Sequence, residues 1–465
     1  MSNNLALESR KKAAIAEFEY ILTTYILPLI QCDGELIFKG EQTFNHKLKK
    51  YIACHSKRQE HYLYFFPALE TPQFHYRIRT RNPRQELGAA EKILREIMFV
   101  SNFDYRSPDF TFSNYYDKEK FIYRNTRFDV AFELGLCSWL GSECIHELIQ
   151  RLRDWSQKTY EGSHMAFGFI IDSTHTSKGD VDYLRFLRSN HSAVFTDGMS
   201  SGIKLDHQGR IVKYFSAMQE HPSNKRKRTT WAPYEFIDFT NMCRSENGSN
   251  WVGVIMQSNG DMLIFKNQQL VFVKRNGKWM YLDSFTIHTI LMHQYHCNAV
   301  EFDEYDQKRF ADEVYLSALD TSFAHTGGCI AIVDDKYIDI VTEKCFPRDS
   351  LSREDNSNEK KAIIKRLIST GSIDGEKQYF QYLDRKLRLE LLSLDGATVL
   401  DSSGKILCVG AIVKIDGGSD GGGRLAATKE LAKYGLAMKI SMDGSIQCFA
   451  SIDSQSPPKE LFKTL

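Results

Sequence analysis

Leu394-Asp395-Gly396-Ala397 opens the stretch that decides the fold, and Gly417-Gly418-Ser419-Asp420-Gly421-Gly422-Gly423-Arg424-Leu425-Ala426-Ala427 closes it. Between them, Ala397–Asp401 and Lys405–Ile415 are rich in β-branched and apolar residues and are separated by Ser402-Ser403-Gly404, which predicts a hairpin. The run from Arg424 is made of good helix formers and ends at Gly435, a suitable residue just past a helix. The order is therefore strand, strand, glycine loop, helix. Asp395 falls at a strand edge, where a carboxylate can bind a divalent metal or accept a hydroxyl proton, and Gly396 removes a Cβ from the approach of a ligand. Gly421, Gly422 and Gly423 lead into a helix N-terminus, whose free N–H groups suit an anion. Arg424 in the first turn is a cation that the helix dipole does not favour, and a bound phosphate accounts for it. A plainer reading stands beside this one. Asp-Gly also occurs at Asp33, Asp197, Asp374, Asp416 and Asp443, so the dipeptide alone marks a turn, and a glycine-rich loop alone is also a linker.

With these residues in view, the segment from about residue 328 onward resembles a diadenylate cyclase domain, the family that joins two ATP molecules into cyclic di-AMP. One family signature, Asp-Gly-Ala on a strand, stands here as Asp395-Gly396-Ala397, and Gly328-Cys-Ile-Ala-Ile-Val-Asp resembles the family's first core strand. The other, Gly-x-Arg-His-Arg-Ala-Ala, is altered to Gly422-Gly423-Arg424-Leu425-Ala426-Ala427, which keeps one arginine and lacks the histidine and the second arginine. Leu436–Ile446 resembles the family's strand that ends in Ser-Glu, with Ser441 matching and Asp443 near the place of the acid. The resemblance implies a nucleotidyltransferase that makes a second messenger. Asp395 and Arg424 would be catalytic, with Gly396, Ala397, Gly421, Gly422, Gly423 and Ser441 against the nucleotide. Asp395 and Asp443 would hold Mg2+ or Mn2+. It implies ATP as substrate and a homodimer or larger homo-oligomer with facing pockets. An inactive module that binds ATP or a cyclic nucleotide and signals to a partner is the alternative, and Lys429 is a candidate substitute for the missing basic residues.

Composition sets the remaining limits. The 465 residues allow about three domains, and 42% hydrophobic residues describe a globular chain. Sixty basic against 59 acidic side chains leave a formal charge of +1, which gives no global steering to nucleic acid or membrane. The ten cysteines form no Cys-x-x-Cys pair, the first residues lack a signal-peptide core, and no apolar run reaches the length of a membrane span. A cytoplasmic protein with reduced thiols is expected.

Patterning predicts an α+β chain in three parts: an α+β sensor-like region over 1–160, an antiparallel β-rich domain over 161–295, and a mixed-sheet, cyclase-like α/β domain over 296–465. Helices are expected over Ala13–Leu29, Leu87–Val100, Cys144–Trp155, Phe285–Tyr295, Asp306–Leu319 and Gln378–Ser393. Strands are expected at Phe167–Asp172, Ser192–Asp197 and Gly202–Tyr214, with consecutive hairpins from Trp251 to Leu282. Pro347–Lys361 reads as a mobile insertion, and no internal repeat stands out. His288, His293, His296 and Cys297 are metal ligands or surface residues. Asn224-Lys-Arg-Lys-Arg228 is a nucleic-acid contact or a solvated loop, and Arg77, Arg79, Arg81 and Arg84 bind an anion or solubilise an edge strand.

Overall fold

The computed structural model describes residues 2–30, 36–40, 52–57, 60–65, 74–80, 93–94, 118–160, 162–176, 181–188, 195–217, 231–243, 251–282, 284–295, 304–352, 359–372, 379–415, 422–451, 454 and 456–464. The chain divides into two compact units, residues 1–225 with 238–282, and residues 226–237 with 283–465. Both are mixtures of helix and strand, as the patterning predicts.

Unit 1 begins with helix α1 (Ser2–Ile21), a π turn at Leu22–Ile26 and α2 (Leu27–Ile30), which extends the expected helix toward the N-terminus. An antiparallel sheet follows, made of β1 (Leu36–Gly40), β2 (Ile52–Lys57), β3 (Glu60–Phe65) and β4 (Phe74–Thr80). Arg77 and Arg79 lie on β4, whereas Arg81, Arg84, Gly421, His296, Cys297 and the 224–228 run lie outside the described residues. Helices α3 (Lys118–Leu140) and α4 (Cys144–Ser156) come next. α4 buries Ile145, Leu148, Ile149 and Leu152, the stripe that a 3.6-residue period lays along one face. These side chains share one core with Phe167 and Phe169.

After the short strands β5 (Thr159–Tyr160) and β6 (Ser163–His164), the main sheet of unit 1 takes in β7 (Phe167–Asp172), β8 (Ser201–Asp206), β9 (Ile211–Ser216), β10 (Trp251–Met256), β11 (Met262–Lys266), β12 (Gln269–Arg275) and β13 (Lys278–Tyr281). Helix α5 (Tyr183–Leu187) lies between β7 and β8, and α6 (Ile237–Met242) precedes β10. The strand order is β13-β12-β11-β10-β7-β8-β9. Strands β10 to β13 form the expected hairpins, but β7 runs parallel to β8, so the sheet is mixed and not purely antiparallel. The cause is the long connection through α5, since a crossover returns the chain in the same direction. The strand expected at 192–197 is loop over 195–197, because the Asp197 carboxylate accepts from the N–H groups of Met199, Ser200 and Ser201 and folds the chain into a turn.

Unit 2 contains α7 (Ser284–Tyr295), α8 (Glu304–Phe323), β14 (Gly328–Val333), α9 (Ile338–Lys344), α10 (Glu359–Thr370), α11 (Arg385–Leu392), β15 (Ala397–Asp401), β16 (Ile406–Ala411), α12 (Gly423–Leu431), β17 (Gly435–Ile440), β18 (Ile446–Ala450) and β19 (Lys459–Thr464). Its sheet has the order β16-β15-β14-β17-β18-β19, with β14 and β15 parallel and every other pair antiparallel. β14 is buried on both faces. Ile330 and Ile332 pack into one core with α8, α10 and α11, while Cys329, Ala331 and Val333 pack into another with Leu431 of α12. The helix expected from Gln378 starts at Arg385, because Asp384 accepts from the N–H groups of Lys386 and Leu387 and sets the cap there. Glu359, expected within an insertion, opens α10. No helix of the described residues is long and apolar enough to cross a membrane.

Candidate functional site

The parallel pairing of β14 with β15 fixes where the two motif halves meet. Both strands start at one end of the sheet, and β17 finishes there, since Gly328 pairs with Ile440. Asp395-Gly396 precedes β15, Gly327 precedes β14, Ser441 follows β17, and α12 brings Gly422, Gly423 and Arg424 to the same end. The nearest guanidinium nitrogen of Arg424 stands 4.0 Å from Asp395 Oδ1, and the Asp395 side chain is 89% exposed. A surface pair at that separation stabilises little, so both groups are free to meet a ligand.

Gly327 and Lys360 were not among the expected site residues. Gly327 has φ +68°, and a Cβ there would lie 2.4 Å from Arg424 Nη1, so this glycine forms the floor under the guanidinium. The adjacent glycines before an apolar strand were the available signal. Lys360 Nζ donates to the Gly410 carbonyl at 2.7 Å, and Gly410 lies against the backbone of Asp395. It went unread because α10 was unread.

Gly396 has φ +106°, and a Cβ would come within 2.5 Å of the Gly410 carbonyl carbon. Its lack of a side chain thus serves the hairpin itself, beside any ligand. Gly422 caps α12 with φ +93° and, like Gly423, has no neighbour among the described residues within 4 Å of where a Cβ would stand. Ala397 is fully buried against β16. The Ser441 backbone closes the β17–β18 turn, and Asp443 Oδ1 accepts from the Ser445 N–H and hydroxyl, each at 3.0 Å. Asp443 therefore faces its own turn. Leu425 packs on the core of that sheet face, and Lys429 Nζ lies 5.7 Å from the Phe449 ring centre.

Among the described residues, no three His, Cys, Asp or Glu side chains gather as a metal site. A lone Asp395 still fits Mg2+ or Mn2+, since such ions commonly take one or two carboxylates and draw their other ligands from phosphate and water. His288 stands 3.1 Å from the buried Asp312 and stacks on Trp231 at 5.8 Å between ring centres. Burial pushes the Asp312 carboxyl up, against the pull of His288.

The site belongs to a mixed α/β sheet with a carboxylate, an arginine and a glycine-capped helix at one end. No family model and no curated protein match the chain. Among solved structures it is similar to DacA from Staphylococcus aureus, at 13% identity over 34% of this chain and 89% of that one, with a TM-score of 0.20. A likeness of that size decides nothing about chemistry.

Proposed function

We propose that unit 2 binds ATP at this sheet end and condenses two ATP molecules to a cyclic dinucleotide, cyclic di-AMP, with release of pyrophosphate. The observation that carries the reading is the exposed Asp395 carboxylate 4.0 Å from Arg424, beside the capped N-terminus of α12. The sequence resemblance at Asp395-Gly396-Ala397 supports it independently. Arg424 and the first N–H groups of α12 hold phosphate oxygens. Asp395 accepts the proton of the attacking 3′-hydroxyl, whose oxygen bonds to the α-phosphorus of the facing ATP while the bond to pyrophosphate breaks. Asp395 would also hold the Mg2+ or Mn2+ ion, and the chemistry such an ion supplies when bound is charge neutralisation on the phosphates. One pocket holds half of the reaction, so two chains must face each other.

The test is incubation of the purified chain with each NTP and Mg2+ or Mn2+, with products identified by mass. Cyclic di-AMP and pyrophosphate are expected, activity per chain should rise with protein concentration, and Asp395→Asn should lose at least about 100-fold of the turnover while keeping its melting temperature. Turnover by Asp395→Asn at the wild-type rate would remove the assigned role. The second reading, a module that binds ATP without turnover, is favoured by one observation. Leu425, next to Arg424 in the altered motif, is partly buried against the core where the family carries a basic side chain. ATP binding without pyrophosphate would establish that reading.

A further inference from the structure

The two main sheets have the same wiring. In unit 1, β7 runs parallel to β8, β8 forms a hairpin with β9, β10 lies antiparallel on the other side of β7, and β11 and β12 follow outward. In unit 2, β14, β15, β16, β17, β18 and β19 take those places in the same chain order. The registers of the central strand pairs agree residue by residue. β10 pairs with β7 from Trp251↔Asp172 to Met256↔Phe167, and β17 with β14 from Gly435↔Val333 to Ile440↔Gly328. Each parallel pair ends on the aspartate that opens the hairpin, Asp172↔Asp206 and Val333↔Asp401.

Irregularities recur at matching places, which pairing rules alone do not require. The β8–β9 ladder slips between Lys204 and Leu205, and β15–β16 between Val399 and Leu400, with a further slip between Ala397 and Val399, at the site end, that β8–β9 lacks. β11 slips between Ile264 and Phe265, and β18 between Cys448 and Phe449. The hairpin turns Leu205-Asp206-His207-Gln208-Gly209-Arg210-Ile211 and Leu400-Asp401-Ser402-Ser403-Gly404-Lys405-Ile406 are built alike. Asp206 Oδ1 accepts from Gln208 and Arg210 N–H at 2.9 Å, as Asp401 Oδ1 does from Ser403 and Lys405 N–H. Gly209 has φ +84° and Gly404 +89°. The next turn repeats too: Asn259 accepts from Asp261 N–H as Asp443 does from Ser445 N–H, with Gly260 at φ +86° and Gly444 at +90°. Bulges and left-handed glycines are specific features of a fold and are rarely placed alike by chance.

The site end differs. By register Ser200 and Ser201 stand where unit 2 has Asp395 and Gly396, and Gln257 where it has Ser441. The nearby Asp-Gly of unit 1 is turned inward, with Asp197 Oδ1 taking backbone N–H groups and its Oδ2 the Ser200 hydroxyl at 2.6 Å. The helical stretch that precedes β10 carries Glu235, an anion, four residues before Phe239, where α12 carries Arg424 four residues before Thr428.

From this we infer that the two units are copies of one fold produced by internal duplication, and that only the C-terminal copy keeps a charged nucleotide site, so each chain offers one. The site count rests on the proposed function. Equilibrium dialysis of the full chain with 3′-deoxy-ATP, which lacks the attacking hydroxyl, and Mg2+ should reach one equivalent per chain, and Asp395→Asn combined with Arg424→Ala should lower affinity at least about tenfold. Two equivalents, or one that survives the double variant unchanged, would overturn the count. No binding by the wild type would instead remove the proposed function together with the count. The duplication is then decided separately by exchanging the pentapeptides 206–210 and 401–405 at the far end of each sheet. Each exchange should shift the melting temperature by less than about 3 °C, while Gly209→Ala and Gly404→Ala lower it by more. If either exchange proves as damaging as its glycine substitution, the two turns are not equivalent and the duplication falls.

Discussion

Two glycines of the same site obey different constraints, and each implies a measurement. At Gly396 an added methyl meets backbone at 2.5 Å in a left-handed conformation, so Gly396→Ala should destabilise unit 2 by about 3 kcal/mol. At Gly422 only the conformation resists, since among the described residues nothing lies within 4 Å, and Gly422→Ala should cost about 1 kcal/mol. Urea unfolding of both variants checks the order. Asp197 carries a pH dependence. Burial raises its carboxyl, but the Ser200 and Ser201 hydroxyls and the turn N–H groups outweigh this and hold it at about 2. The unfolded value is about 3.9, so this contribution is complete above about pH 4 and is lost as pH falls toward 2. After discounting for solvent it amounts to about 1 kcal/mol. Asp197→Asn should flatten that part of the stability curve, as acid titration of fluorescence will show. That Asp395 and Arg424 fall at one end of the sheet was legible in the sequence, because a single hairpin and a glycine loop join them. Lys360 was not, since a lysine on an amphipathic helix looks like any solvated residue.

At the scale of elements, unit 2 is pinned through its interior. Asp320 is buried and accepts from Arg385 Nε and Nη2, each at 2.7 Å, while the Tyr234 N–H donates to it at 2.7 Å and Arg385 Nη2 donates to the Ala232 carbonyl. The segment 226–237 thus belongs to unit 2 although sequence position separates it. Arg385→Ala leaves a buried carboxylate without its cation and should destabilise unit 2 by about 3–5 kcal/mol in urea unfolding. Arg385→Lys should recover little, because one ammonium cannot replace the fork. A fragment starting near residue 295 would discard Tyr234 and α7 together, so nucleotide binding is best measured on the whole chain. The helix preceding Asp395 was legible as a helix but misplaced at its start. Its apolar spacing is readable, whereas the cap at Asp384 competes with the earlier turn at Phe380–Tyr382.

Over the whole molecule, strand patterning located most of both main sheets but not their likeness. Few residues coincide between the copies beyond Leu205 with Leu400, Asp206 with Asp401, Gly209 with Gly404 and Gly260 with Gly444, and these sit in turns that any hairpin uses. Register and bulges carry the kinship, and neither can be seen without paired strands. The interiors have drifted in a compensated way. In unit 1 the Phe239 ring of α6 fills the space over Gly168, Gly202 and Gly253, whereas the matching places in unit 2 hold Cys329, Ala397 and Ala437 in one core, with the smaller Thr428 of α12 against Cys329. That exchange of volumes bears on how the chain reaches its native state. Tandem sheets with the same wiring can trade strands during folding, since each offers the other a ready template. Here a strand placed in the wrong sheet would drive Phe239 into a cysteine or alanine, or leave Thr428 above a void, so the drift between the copies proofreads the assembly of each.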